Sequence, residues 1–146
     1  MRRIALLVRL GLGLLFVAAS IDKLMHPGDF VQIILNYHIV GRALAVWTAA
    51  LLPWLELLCG LALIFNRAAS GSALLITVML AVFVSAEGWS LARGLDISCG
   101  CFHSDPTAKG GLAWAMARDA GLLVLALLTT LGWAESPDRE QAKPGQ

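Results

Sequence analysis

Apolar residues run through this chain in four long blocks, about Ile4 to Leu24, Ala43 to Phe65, Ser70 to Ala92 and Leu112 to Trp133, and polar residues are confined to the breaks between them. Each block is long enough for a helix to cross a hydrocarbon core of about 30 Å at a rise of about 1.5 Å per residue. The pattern predicts an all-α integral membrane fold: a four-transmembrane-helix bundle in one domain over residues 1–134. A charged, Pro- and Gly-containing tail follows over residues 135–146 and reads as disordered. The first block also has the look of a cleavable signal, with Arg2-Arg3, an apolar run and Val17-Ala18-Ala19-Ser20. Arg9 within the run and Asp22-Lys23 after it favour a retained helix, with Asp22-Lys23 at its outer boundary.

The breaks carry their own signals. Pro27-Gly28-Asp29 stops the first helix, and Asp29 can cap a short helix from Phe30 to about Tyr37 that is too short to span and suits the outer interface or a packed lid. Only Asn66-Arg67-Ala68-Ala69 separates the second and third blocks, so these form a tight antiparallel hairpin. The connection from Arg93 to Gly111, between the third and fourth blocks, is longer and holds Cys99 and Cys101. On the last helix Ala113, Ala117 and Gly121 recur every fourth residue, the small-residue spacing of close helix packing.

Composition agrees with the pattern. Hydrophobic residues make up 58% of the chain and charged residues 14%, against roughly 25% charged in a soluble domain, and the mean hydropathy is +0.75. The lipid bilayer is therefore the expected solvent. A formal net charge of +1 without clustered Lys or Arg argues against nucleic acid as a partner. Basic residues near the helix ends set the orientation: Arg2, Arg3, Arg9, Arg67, Arg139 and Lys143 on one side outweigh Lys23, Arg42, Arg93 and Lys109 on the other. Both termini then lie in the cytoplasm of a bacterium and the cysteine loop faces the periplasm, an oxidising compartment. Trp89, Trp114 and Trp133 sit near the expected boundaries, whereas Trp47 and Trp54 lie further in.

Cys99-Gly100-Cys101 is the strongest chemical candidate. One intervening glycine leaves the two Cα atoms near the upper part of the disulfide range of about 4.4–6.8 Å, and Gly100 gives the small ring its backbone freedom. A strained bond of this kind is easily reduced and suits exchange with a substrate dithiol; a static loop clasp is the plain alternative. Cys99, Cys101 and His103 alternate and could also present thiolates and an imidazole to a soft metal ion. Cys59 lies about 24 Å down the second helix, too deep to pair with either, and reads as a small buried residue.

Ionisable residues inside spans cost about 2.5–3.5 kcal/mol each and need a reason. Pro53, Glu56 and Gly60 share one helix face, so Glu56 could relay protons, contact a quinone as a cofactor, or hydrogen-bond a neighbouring helix. Glu87 and Arg118 lie at matching depths beneath the cysteine loop, where an ion pair would support the loop or favour a thiolate. His26 and His38 flank the short outer helix and carry no further signal.

These residues resemble the MauE family of methylamine-utilisation membrane proteins and the wider DoxX-like family. The resemblance runs through nearly the whole chain. It rests on Ala19-Ser20-Ile21-Asp22-Lys23-Leu24 with Pro27 and Phe30, on Leu52-Pro53-Trp54-Leu55-Glu56-Leu57 with Gly60, and on Cys99-Gly100-Cys101-Phe102 before Trp114, Arg118 and Asp119. Members similar to MauE commonly continue Cys-Gly-Cys-Phe with glycine, whereas this chain has His103, which keeps the metal option open. The resemblance implies a bacterial inner-membrane four-helix bundle linked to maturation of a disulfide-rich periplasmic enzyme subunit, the methylamine dehydrogenase small subunit. The expected function is thiol–disulfide exchange with a periplasmic thioredoxin-like or disulfide-containing partner, Cys99 and Cys101 reacting while electrons pass to or from a membrane carrier such as a quinone. A non-enzymatic assembly scaffold and a metal- or small-solute-handling protein are the competing classes.

Overall fold

A computed structural model describes residues 2–66, 69–95, 97 and 111–134. The tail over 135–146 and the segment bearing Cys99, Gly100, Cys101 and His103 lie outside the described residues. Among those described, the elements are α1 (Arg2–Met25), α2 (Pro27–Asn36), α3 (Arg42–Ile64), α4 (Ala69–Ala92) and α5 (Leu112–Ala134), with no strand. The four long helices fall on the four apolar blocks. A helix satisfies its backbone N–H and C=O groups within the segment, which an apolar surrounding demands. Three of them, Arg42–Ile64, Ser70–Ala92 and Leu112–Leu131, are long and apolar enough to cross a membrane. α1 has the length but carries Arg9, Asp22 and Lys23.

The helices form two antiparallel pairs, α1 along α3 and α4 along α5, joined by lesser contacts between α3 and α4 and between α1 and α5. Glycine sets the first pair's spacing. A Cβ on Gly13 would stand 2.9 Å from the Gly60 carbonyl oxygen and 2.8 Å from Ile64 Cγ1, and one on Gly60 would stand 2.8 Å from the Gly13 carbonyl oxygen. No larger residue fits that crossing. Along α3 the inward face reads Ala45, Ala49, Pro53, Glu56, Cys59, Gly60 and Leu63, so Pro53, Glu56 and Gly60 do share the packed face. Trp47 and Trp54 point outward, 65% and 55% exposed.

The short helix departs from expectation in two ways. It begins at Pro27, with His26 as the preceding cap residue and no side-chain capping bond, because proline at the first helical position has the right φ and no N–H to satisfy. Asp29 sits inside the first turn rather than at the cap. α2 then packs against α3 through buried Phe30 and Ile33. With α2 alongside the first half of α3, α1 ends level with the middle of α3. Lys23 therefore meets Glu56, fourteen residues or about 21 Å along α3 from Arg42, instead of standing at the same level as the start of α3.

The small-residue stripe of α5 also differs from its reading. Ala113, Ala117 and Gly121 are exposed, and nothing lies within 4 Å of a Cβ built on Gly121. The inward face of α5 is Leu112, Ala115, Asp119 and Ala126 instead. The apolar core is built from Leu12 and Phe16 of α1, Cys59 and Leu63 of α3, Ile76 and Leu80 of α4 and Ala126 of α5. α4 ends in a reverse turn at Gly94, φ +71°, where the Leu95 N–H donates to the Ser90 carbonyl and the Gly94 N–H to that of Leu91. This is a Schellman stop, and it needs a residue at ease with positive φ.

Candidate functional site

The polar groups that the apolar blocks seemed to scatter come together inside the bundle. Lys23 of α1 donates to both Glu56 oxygens of α3, at 2.8 Å to Oε1 and 2.7 Å to Oε2. The two residues are 2% and 1% exposed. With the carboxylate held at both oxygens, the charge of each residue is compensated where desolvation alone would forbid it. The Lys23 ammonium also lies 5.4 Å from the Phe30 ring centre and 5.9 Å from that of Phe83, so α2 and α4 close over it.

A second polar group occupies α4 and α5. Arg118 Nε donates to Asp119 Oδ1 at 2.9 Å, while the Asp119 side chain is fully buried and Arg118 is a third exposed. Glu87, fully buried on α4, is in hydrogen-bond contact with Asp119 and feels the Arg118 charge. Arg118 thus serves two carboxyls and not Glu87 alone. Tyr37, at the C-terminal cap of α2, lies near the same two acids. Burial pushes its phenol well above the ordinary tyrosine range, and the negative charges of Glu87 and Asp119 push the same way.

Between the two groups is a small cavity lined by Lys23, Glu56 and Asp119 on its polar side and by Phe16, Ala19, Leu80 and Phe83 elsewhere. The cavity is small, about 10 Å³. Both Glu56 oxygens accept from Lys23, so Glu56 hydrogen-bonds a neighbouring helix, one of the roles its sequence suggested. Among the described residues no three His, Cys, Asp or Glu side chains group as a metal site. Cys59 is 4% exposed within the apolar core.

Of the candidate residues, Glu56, Glu87 and Arg118 are buried or partly buried contributors to this interior. Cys99, Gly100, Cys101 and His103 fall in the segment joining α4 to α5, outside the described residues. Three members of the interior escaped the sequence. Lys23 looked like a flanking charge, Asp119 had no role beyond the family pattern, and Tyr37 was only the end of a short helix. The available signal for Lys23 was the Pro27 break directly after it, which leaves room for α2 to pack beside α3. Arg9, also in the first block, donates to Asn66 Oδ1 just past the end of α3.

A helical chain whose long helices turn leucine, valine and tryptophan outward and keep opposite charges inside is a membrane protein. Comparison with known proteins is equally direct: residues 1–132 match the family model described as methylamine utilisation protein MauE, and the chain belongs to that family. The methylamine utilization protein MauE of Paracoccus denitrificans is 31% identical over 127 residues, covering 86% of this chain and 67% of the relative. That of Methylorubrum extorquens is 34% identical over 121 residues, 82% and 64% of the two chains. That of Methylophilus methylotrophus is 32% identical over 99 residues, 67% and 52%. The chain thus spans between about half and two thirds of the length of these relatives. No solved structure matches it significantly.

Proposed function

We propose that this protein serves methylamine utilisation as a membrane thiol–disulfide exchange protein, with Cys99 and Cys101 as its reacting pair. The observation that carries the reading is the Cys-Gly-Cys spacing in the segment between α4 and α5. A pair closed through one residue makes a reducible disulfide, suited to passing equivalents rather than to holding a fold. In the exchange, a thiolate attacks a disulfide sulfur, a mixed disulfide forms, and the second thiol resolves it, so that one protein's dithiol becomes a disulfide as the other's disulfide becomes a dithiol. The partner is a periplasmic protein of the thioredoxin-like or disulfide-containing kind.

The wider setting belongs to the same proposal. α1, α3, α4 and α5 make the four crossings, with α2 as a short helix on the outer side, both termini are cytoplasmic, and the cysteine segment is periplasmic on the inner membrane. The uneven distribution of Lys and Arg supports that orientation. Cys99→Ser and Cys101→Ser variants test the chemistry: one of them should accumulate a mixed disulfide with a periplasmic protein, visible on non-reducing gels and lost on reduction. Normal maturation of the client in a strain carrying the double variant would count against the proposal.

A further inference from the structure

The outward face of α1 is not wholly apolar. Gly11, Leu15, Ala18, Asp22 and Met25 recur every three or four residues along it, largely opposite the buried Phe16 and Lys23. Gly11, Leu15, Ala18 and Met25 are exposed, and a Cβ on Gly11 would meet nothing within 4 Å. The Asp22 side chain, in line with them, keeps 36% of its surface. One turn on, half-exposed His26 holds its Nδ1 3.7 Å from Asp22 Oδ1. Gly13 faces Gly60 and Lys23 reaches Glu56, so Asp22 lies level with α3 between Leu51 and Glu56, about 14–21 Å from Arg42. Exposed Leu44 and Trp47 of α3 stand above that level and exposed Leu58 below it. A carboxylate is therefore turned outward in the middle of the apolar band.

We propose that this seam of α1 is the docking face for a transmembrane helix of a partner protein, one that presents a single Lys or Arg among small and apolar residues at the level of Asp22. Ionisable side chains at such a depth are costly and mark contacts with a group of complementary charge. Lipid tails have no donor to offer, and phosphate head groups carry the wrong sign. A second copy on a two-fold axis through this face would set Asp22 against Asp22, so charge excludes self-pairing and selects a basic occupant. The neighbouring Lys23 is turned inward, where it donates to both Glu56 oxygens. The shape suits a helix as well as the charge does. Gly11 and Ala18 let a second backbone come close, and the alternating spacing of four and three is the period of left-handed helix pairs.

The test uses the full chain in lipid vesicles and a synthetic Ala/Leu helix of about 20 residues, long enough to span, with either Arg or Leu at its centre. Association is read by energy transfer between a dye on the peptide and one on the C-terminus of the protein. The Arg peptide should associate about tenfold more tightly than the Leu peptide. Asp22→Asn should remove that preference, and Asp22→Lys should pass it to a peptide with Glu at the centre. Ala18→Leu, which fills the seam and leaves the charge in place, should weaken the Arg and Leu peptides alike. If Asp22→Lys does not fold, the Asp22→Asn comparison still decides. Equal association of the Arg and Leu peptides overturns the proposal, as do no association of either and a preference that survives in Asp22→Asn. Rapid alkylation of an Asp22→Cys variant at that position by a membrane-impermeant maleimide would show a water-filled cleft instead of a helix site and would overturn it too.

Discussion

At the scale of single residues, the Lys23–Glu56 pair decides most. Removing one partner strands the other charge in a dry interior, which costs about 3–5 kcal/mol, whereas an apolar pair of similar volume costs far less. Glu56→Gln and Lys23→Met should each lower the unfolding free energy, read from denaturant titration in detergent, by that order, and Lys23→Met with Glu56→Leu should recover part of the loss. Additive effects, with the double change costing the sum of the two single ones, would deny the pair its role. Tyr37 offers a second reading, because it is the only tyrosine in the chain. Its phenol is held protonated by burial and by Glu87 and Asp119, so the folded protein binds that proton more tightly than the unfolded one. Its contribution to stability is present below the ordinary tyrosine pKa of about 10 and declines as pH rises past that value. Tyrosinate absorbance should therefore appear at higher pH in the folded protein than in denaturant.

At the scale of helices, the crossing of α1 and α3 is fixed by Gly13 and Gly60, each facing the other's carbonyl oxygen. Gly13→Ala or Gly60→Ala must push the helices apart at a cost of about 1–3 kcal/mol. Gly121→Ala, which meets open space, should leave stability equal or slightly raised, since alanine is the better helix former by about 1 kcal/mol. Thermal unfolding of the three variants in one detergent compares them directly. These helices also show what the sequence makes legible. Length and apolarity located α1, α3, α4 and α5, and the spacing of Pro53, Glu56 and Gly60 identified the packed face of α3. The same spacing argument misread α5, where Ala113, Ala117 and Gly121 turn outward. When both faces of a helix are apolar, periodicity shows that a stripe exists without showing which way it turns. The level of Lys23 was hidden for a related reason: it depends on α2 packing beside α3, a tertiary fact that no count along one helix contains.

At the scale of the whole molecule, the chain divides its polar and apolar resources by position. Leucine, valine and tryptophan cover the outside, an apolar core of Leu12, Phe16, Cys59, Leu63 and Ile76 joins α1, α3 and α4, and the charged interior lies between Glu56 and the ends of α4 and α5 that carry the cysteine segment. That arrangement fits a bundle whose rigid part supports a reactive connection. Membership in the MauE family was legible in the residues themselves, through Leu52-Pro53-Trp54-Leu55-Glu56 and Cys99-Gly100-Cys101-Phe102, because these sit where an apolar chain has few reasons to keep polar or reactive groups.

The proposal that Cys99 and Cys101 form an outward, reducible pair is tested most directly by thiol labelling of intact cells with a membrane-impermeant maleimide, using a Cys59→Ala variant so that only the pair can react. The account predicts no labelling of the untreated protein, labelling of both Cys99 and Cys101 after mild reduction from outside, and protection again on reoxidation. Labelling only after the inner membrane is opened would contradict the orientation, and full labelling without reduction that no oxidant reverses would contradict the thiol–disulfide role.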